Sequence, residues 1–334
     1  MRRRALGLAA VALTLLATPA QAQQVVIGWT GDATIPDPLP VGPNVVSPSW
    51  WHLTSTGGVS GSGDRAGADR ARARGVRVWP LFANGNDPER SRLVMRDPAR
   101  RREVIDRIGD LAAANGADGV NIDWENLHTE DKDAFSTFVA EAASAWRSRG
   151  LVVSVDVTPL TDTWSLGNWS EAYDRAALGR VADLVVLMAY DQHNRLRPHG
   201  PTASLPWVRD AVRALVREVD PSKVVLGMPF YTYEWTDPAR PKAITLRETD
   251  RFLARTSASV RWDPELGLAV ATYGGDRTVW LEDDRSLSLK AALVGGFGLA
   301  GVAAWRIGFD TPGAWEAAMG RIAAPTPPAT PVPS

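Results

Sequence analysis

In the stretch Asp118-Gly119-Val120-Asn121-Ile122-Asp123-Trp124-Glu125, apolar and polar residues alternate with a period of two from Val120 onward. That is the period of a strand, so Asn121, Asp123 and Glu125 point to one side while Val120, Ile122 and Trp124 point to the other. Two rises of about 3.3 Å set Asp123 and Glu125 about 6.6 Å apart along the strand. Two acids this close in a poorly solvated place oppose each other's ionisation, and one keeps its proton near neutral pH. Such a carboxyl is a competent general acid.

Seven further apolar, β-branched runs flank this one, at 25–29, 45–52, 76–82, 152–157, 184–190, 224–230 and 302–305; with 119–124 they make eight. Several are nearly continuous, as in strands buried on both faces of a parallel sheet. Helical patterns lie between them. Asp97 is placed to cap, Pro98 suits a first turn, and Val104, Ile105, Ile108, Leu111 and Ala112 recur at helical spacing before Gly116. The next helix carries Phe135, Phe138, Val139, Ala142 and Trp146 on one face, with Gly150 after it. Eight alternating β and α units predict an α/β fold, a (β/α)8 TIM barrel, with the octet ending its fourth strand. An open doubly wound sheet is the weaker alternative, since no G-x-G-x-x-G follows the first strand. Residues 231 to about 284 are too long for one connecting loop and contain strand-like pieces. They predict a small α+β insertion between strand seven and its helix.

The composition narrows the chemistry. The chain of 334 residues has no cysteine, which excludes disulfides, thiolate catalysis and cysteine-based zinc sites. Four histidines (His52, His128, His193 and His199) form no H-E-x-x-H pair, and no G-x-S-x-G elbow supports a serine triad. Neither a metal site nor a cofactor is expected. The formal charge is −1, and the run Arg100, Arg101, Arg102 falls on a solvated helix face, so a nucleic-acid partner is not expected. The 14 tryptophans are many for this length, and flat apolar rings stack well on sugar faces.

The ends read differently from the middle. Arg2, Arg3 and Arg4 precede an apolar run at 5–17 and an A-x-A site at Ala20-Gln21-Ala22, the pattern of a signal peptide over 1–22. No later stretch reaches the roughly 20 apolar residues of a membrane span. The expectation is an exported, secreted catalytic domain over 23–323, free in the medium or associated with the cell wall. Residues 324–334 hold Pro325, Pro327, Pro328, Pro331 and Pro333 and read as an extended tail.

The octet resembles the D-G-x-D-x-D-x-E signature of family 18 glycoside hydrolases, the chitinase-like group, which also ends a fourth barrel strand. That resemblance implies hydrolysis of N-acetylglucosamine glycans, of peptidoglycan or chitin type, by a substrate-assisted retaining route in which the sugar's own acetamido oxygen attacks. It implies Glu125 as acid/base and Asp123 as the group that grips the acetamido moiety. Met188-Ala189-Tyr190-Asp191 resembles the family's M-x-Y-D motif. By that match Tyr190 hydrogen-bonds the acetamido carbonyl and Asp191 contacts the same sugar. Met228-Pro229-Phe230-Tyr231 resembles a G-x-P-x-Y segment, which puts Tyr231 and Trp235 near the groove. Trp305, ending strand eight, matches the Trp that floors the reacting subsite.

Two positions depart from the commoner pattern. Asn121 stands where an Asp is usual, and the branch resembling spore-cortex-lytic enzymes shares it. An Asn there neither carries charge nor shares a proton with Asp123, so a shifted pH profile is expected. Val78-Trp79-Pro80-Leu81 replaces the S-x-G-G of chitinases proper, which points away from crystalline chitin. A catalytically inactive, lectin-like member of the same barrel family is the competing reading. Such members typically lose the final Glu, and Glu125 is present here.

Overall fold

The computed structural model describes residues 24–195, 197–237 and 240–320. The leader over 1–22 and the proline-rich tail lie outside the described residues.

Eight parallel strands close into a barrel. They are Val25–Trp29, Val45–Ser47 continued by Trp51–Leu53, Arg77–Val78 continued by Leu81–Ala83, Gly119–Asp123, Val152–Val157, Leu184–Met188, Val224–Pro229 and Gly301–Trp305. Each pairs in parallel with the next, and the eighth returns to the first, with Val25 opposite Gly301 and Gly28 opposite Ala304. Strands two and three are each broken, where the sequence pattern predicted continuous runs. Pro48 and Pro80 lie at the breaks, and proline has no N–H for a ladder. Their carbonyls still serve the sheet: Pro48 O accepts from Leu81 N at 2.9 Å and Pro80 O from Asn121 N at 2.9 Å. The alternation of the sequence did not announce a short antiparallel strand, Val59–Gly61, added to Trp51–Leu53.

The caps act where the punctuation placed them. Asp97 accepts from Ala99 N at 2.9 Å and opens the helix Pro98–Asn115, and Gly116 closes it at φ 66°. The helix Lys132–Arg147 buries Phe135, Phe138, Val139, Ala142 and Trp146 against the barrel. Apolar side chains pack in two places. Most lie between helices and sheet, and a smaller set that includes Ile27, Trp29, Leu81, Val186, Val225 and Ala303 fills the barrel interior.

The insertion follows strand seven, as expected. Tyr231–Glu234 pairs antiparallel with Lys242–Thr245, the helix Thr249–Thr256 follows, and Ser259–Asp263, Leu268–Tyr273 and Arg277–Leu281 form a three-stranded antiparallel sheet. The helix Asp284–Phe297 then returns the chain to strand eight. A buried ion pair joins the insertion to that helix: Lys290 Nζ donates to Glu282 Oε2 at 2.7 Å and Oε1 at 2.9 Å, and Ser286 Oγ donates to Oε2 at 2.6 Å.

Candidate active site

A cleft of about 820 Å³ opens at the carboxyl ends of the strands and takes in part of the insertion. Asp123 and Glu125 both line it. The strand ends at Asp123, yet its alternation carries on two residues further. Trp124 turns outward, wholly buried, and stacks on Phe138 with ring centres 4.3 Å apart. Glu125 therefore faces inward beside Asp123. Its backbone is clamped by Asn84, whose Oδ1 accepts from Glu125 N at 3.0 Å and whose Nδ2 donates to Glu125 O at 2.7 Å. Tyr173 Oη donates to Trp124 O at 2.9 Å and fixes the same turn.

Burial dominates the electrostatics. It pushes the Asp123 carboxyl up to about 7. Glu125 is raised well above the carboxylate range by burial first and then by Asp123 and Asp191. Both acids thus sit where a proton is hard to remove.

Tyr190 and Asp191, just past the sixth strand, line the same cleft. Asp191 adopts a left-handed backbone at φ 59°, and Tyr231 Oη donates to its Oδ1 at 2.5 Å. Tyr231 and Trp305 also line the cleft. Trp305 meets Trp29 of strand one, with ring centres 6.0 Å apart and planes at 51°.

Two expected groups lie elsewhere. Asn121 is fully buried beneath the cleft. Its Oδ1 accepts from Trp29 Nε1 at 2.8 Å and its Nδ2 donates to Asp156 Oδ1 at 2.7 Å, so it supports the wall rather than forming it. Trp235 is also turned away. Its indole donates to Gly200 O at 3.2 Å and stacks on His199 at 5.2 Å, and it is not part of the cleft lining.

Several lining residues escaped the motif reading. Asp156 interrupts the apolar run Val152–Val157, and a lone acid inside a buried strand was the available signal. Trp164 and Trp169 come from the loop after strand five. Buried Arg175 holds that loop, donating to Thr158 O at 2.7 Å and Ser170 O at 2.9 Å. Tyr233, Arg195 and Arg240 complete the mouth.

A closed parallel barrel with proton-bearing acids among indoles at its carboxyl mouth has the build of a glycoside hydrolase. Residues 57–310 match the family model for glycosyl hydrolases family 18, and the chain belongs to that family. It is 24% identical to the uncharacterized glycosylase YvbX of Bacillus subtilis, over 82% of this chain and 83% of that protein. It is 28% identical to the cortical fragment-lytic enzyme of the same organism, over 68% of this chain but only 55% of that enzyme's length. Among solved structures, a chitinase from Chromobacterium violaceum aligns with a TM-score of 0.82 and 25% identity, over 89% of this chain and 98% of that one. The spore cortex-lytic enzyme SleL of Bacillus megaterium aligns with a TM-score of 0.76 at 23% identity, over 89% of this chain and 74% of that one. The likeness to the spore-cortex-lytic branch anticipated from Asn121 is present among these relatives, and the chain is a hydrolase of glycans.

Proposed function

We propose that the protein is an exported N-acetylglucosaminidase that cleaves the β-1,4 bond following N-acetylglucosamine in peptidoglycan, with retention. The observation that carries the reaction is the placement of Glu125 and Asp123 side by side in a buried cleft wall, both held above the carboxylate range. Glu125 gives its proton to the glycosidic oxygen. Asp123 accepts from the acetamido N–H and turns that group's carbonyl oxygen toward the anomeric carbon. The Tyr190 hydroxyl, kept protonated by burial above all, donates to the same carbonyl. The carbonyl attacks, the leaving sugar departs as an alcohol, and an oxazolinium ion forms. Glu125, now a carboxylate, takes a proton from water, which opens that ion from the same face.

Two cations favour peptidoglycan over chitin. Arg195 and Arg240 are the cationic side chains of the cleft lining, both exposed at its mouth, and neither makes an ion pair among the described residues. Chitin offers a guanidinium no anion. In peptidoglycan each N-acetylglucosamine is flanked by muramic acid, whose lactyl group or peptide stem carries carboxylate. Export is supported by the leader pattern at 1–22.

The test is mass spectrometry of products from purified peptidoglycan and from chitin oligosaccharides. Fragments with N-acetylglucosamine at the new reducing end, retained β-anomer and faster release from peptidoglycan are expected. Intact glycans that nonetheless bind would replace this reading with a lectin-like one.

A further inference from the structure

Three carboxyl groups, Asp123, Glu125 and Asp156, share the wall at the ends of strands four and five. The third is not part of the octet. Strands four and five pair with Ile122 opposite Val155, so the next residues along, Asp123 and Asp156, are lateral neighbours. Neighbours on adjacent strands lie about 4.8 Å apart at the backbone and send their side chains to the same face.

Asn121 fixes the arrangement. An indole N–H can only donate, so Trp29 Nε1 at 2.8 Å identifies the Asn121 oxygen, and Ser47 Oγ adds a second bond to it at 3.4 Å. Turned over, the Asn121 amide would set its NH2 against the Trp29 N–H and lose that bond. Its Nδ2 is therefore committed to Asp156 Oδ1, at 2.7 Å. That leaves one Asp156 oxygen uncommitted. Asp123 Oδ1, meanwhile, is buried and has no hydrogen-bond partner among the described residues.

We propose that Asp156 and Asp123 share one proton between strands four and five, with Asn121 holding Asp156 in place for it. This rests on the reading of Asp123 as the group that grips the acetamido moiety. The proton sits on Asp156 while Asp123, as carboxylate, accepts from the acetamido N–H. It passes to Asp123 when product leaves. One O–H bond breaks as the other forms, and the charge of the pair does not change. Asn121 is then a support for a carboxyl displaced by one strand, not a defect in the site. Asp156 acts through Asp123 and is a positioning residue.

The surroundings allow it. Burial, then Asp123, raises the Asp156 carboxyl, the Asn121 bond draws it partly back, and Glu125 raises it again. Tyr190 and Tyr173, the other titratable groups facing it, are held well above their usual range by burial and stay neutral.

Asp156→Asn keeps the shape of the side chain and removes the exchangeable carboxyl. It is expected to lower kcat about 10- to 100-fold, with little change in KM, and to remove one ionisation from the pH profile of kcat. The swap Asn121→Asp/Asp156→Asn moves the carboxyl back to strand four and is expected to recover most of that rate. A wild-type kcat and pH profile in Asp156→Asn would overturn the proposal. So would a swap that melts like wild type yet stays as slow as the single variant. Titration of the Asp123 carboxyl by 13C NMR decides the point without turnover. It should show two coupled steps in the wild type and one in Asp156→Asn. If wild type cleaves no glycan, the reaction assigned above falls, while the titration still tests the shared proton.

Discussion

Burial holds the Asp123 carboxyl up to about 7, against an ordinary 3.8. Between those values the folded protein keeps a proton that the unfolded chain has released. The stability this group contributes is full below about pH 4 and is lost as pH rises through about 7. Asp123→Asn abolishes that loss. Its stability relative to wild type is expected to improve by roughly 2–4 kcal/mol between pH 4 and pH 8, measured by urea unfolding at both. A gap that does not change with pH would contradict this. Glu125→Gln cannot donate to a leaving oxygen but keeps the shape of the side chain. It is expected to lose about 100- to 10,000-fold in kcat while still binding glycan, read by turnover and calorimetry side by side. These two acids were legible in the octet because a period of two set both on one side. Asp156 was not, since the motif that draws attention to Asp123 lies on another strand. Trp235 was misassigned for the opposite reason. Four residues from Tyr231 is near in sequence, but the chain leaves its strand at Glu234 and the indole turns to Gly200.

Among the elements, the helix punctuation translated directly into structure. A proline, a capping Asp and a terminal Gly act through local geometry, which needs no tertiary knowledge. The breaks in strands two and three were encoded as well, by Pro48 and Pro80. A hydrophobicity pattern overrides such breaks because it counts side chains and not N–H groups. The insertion depends on a different device. Lys290 and Glu282 are shut away from water where its sheet meets the helix Asp284–Phe297, with side chains 0% and 1% exposed. Removing one partner strands the other charge. Lys290→Met is expected to cost about 3–5 kcal/mol, and Lys290→Met/Glu282→Leu to regain a large part of it, measured as midpoints of thermal or urea unfolding. Equal losses in the single and double variants would show that packing, not charge, joins the insertion to the barrel.

For the whole molecule, eight alternating runs were enough to give the barrel, because a right-handed succession of β and α units has few other ways to bury its strands. The mouth was less legible. Its walls are assembled from loops far apart in sequence, and their meeting is a property of closure. Arg195 and Arg240 show this, one after strand six and one within the insertion, both reaching the same cleft. Arg195→Gln/Arg240→Gln is expected to lower kcat/KM on peptidoglycan strands by roughly fivefold relative to chitin oligosaccharides, as suits two exposed cation contacts. Strands freed of peptides, which bear lactyl carboxylate, and strands with stems separate the two sources of anion. An unchanged ratio would deny the arginines a part in choosing the polymer. The meeting of Trp29 and Trp305 carries a further consequence. The ring join between first and last strands meets the cleft at this pair of indoles, and Gly301 lets it lie flush, since a Cβ there would come within 1.9 Å of Val25 O. That part of the cleft is therefore missing until the eighth strand is in place. A chain cut before residue 301 would keep Asp123, Glu125 and Asp156 yet leave the barrel open beside Trp29 and the cleft without Trp305.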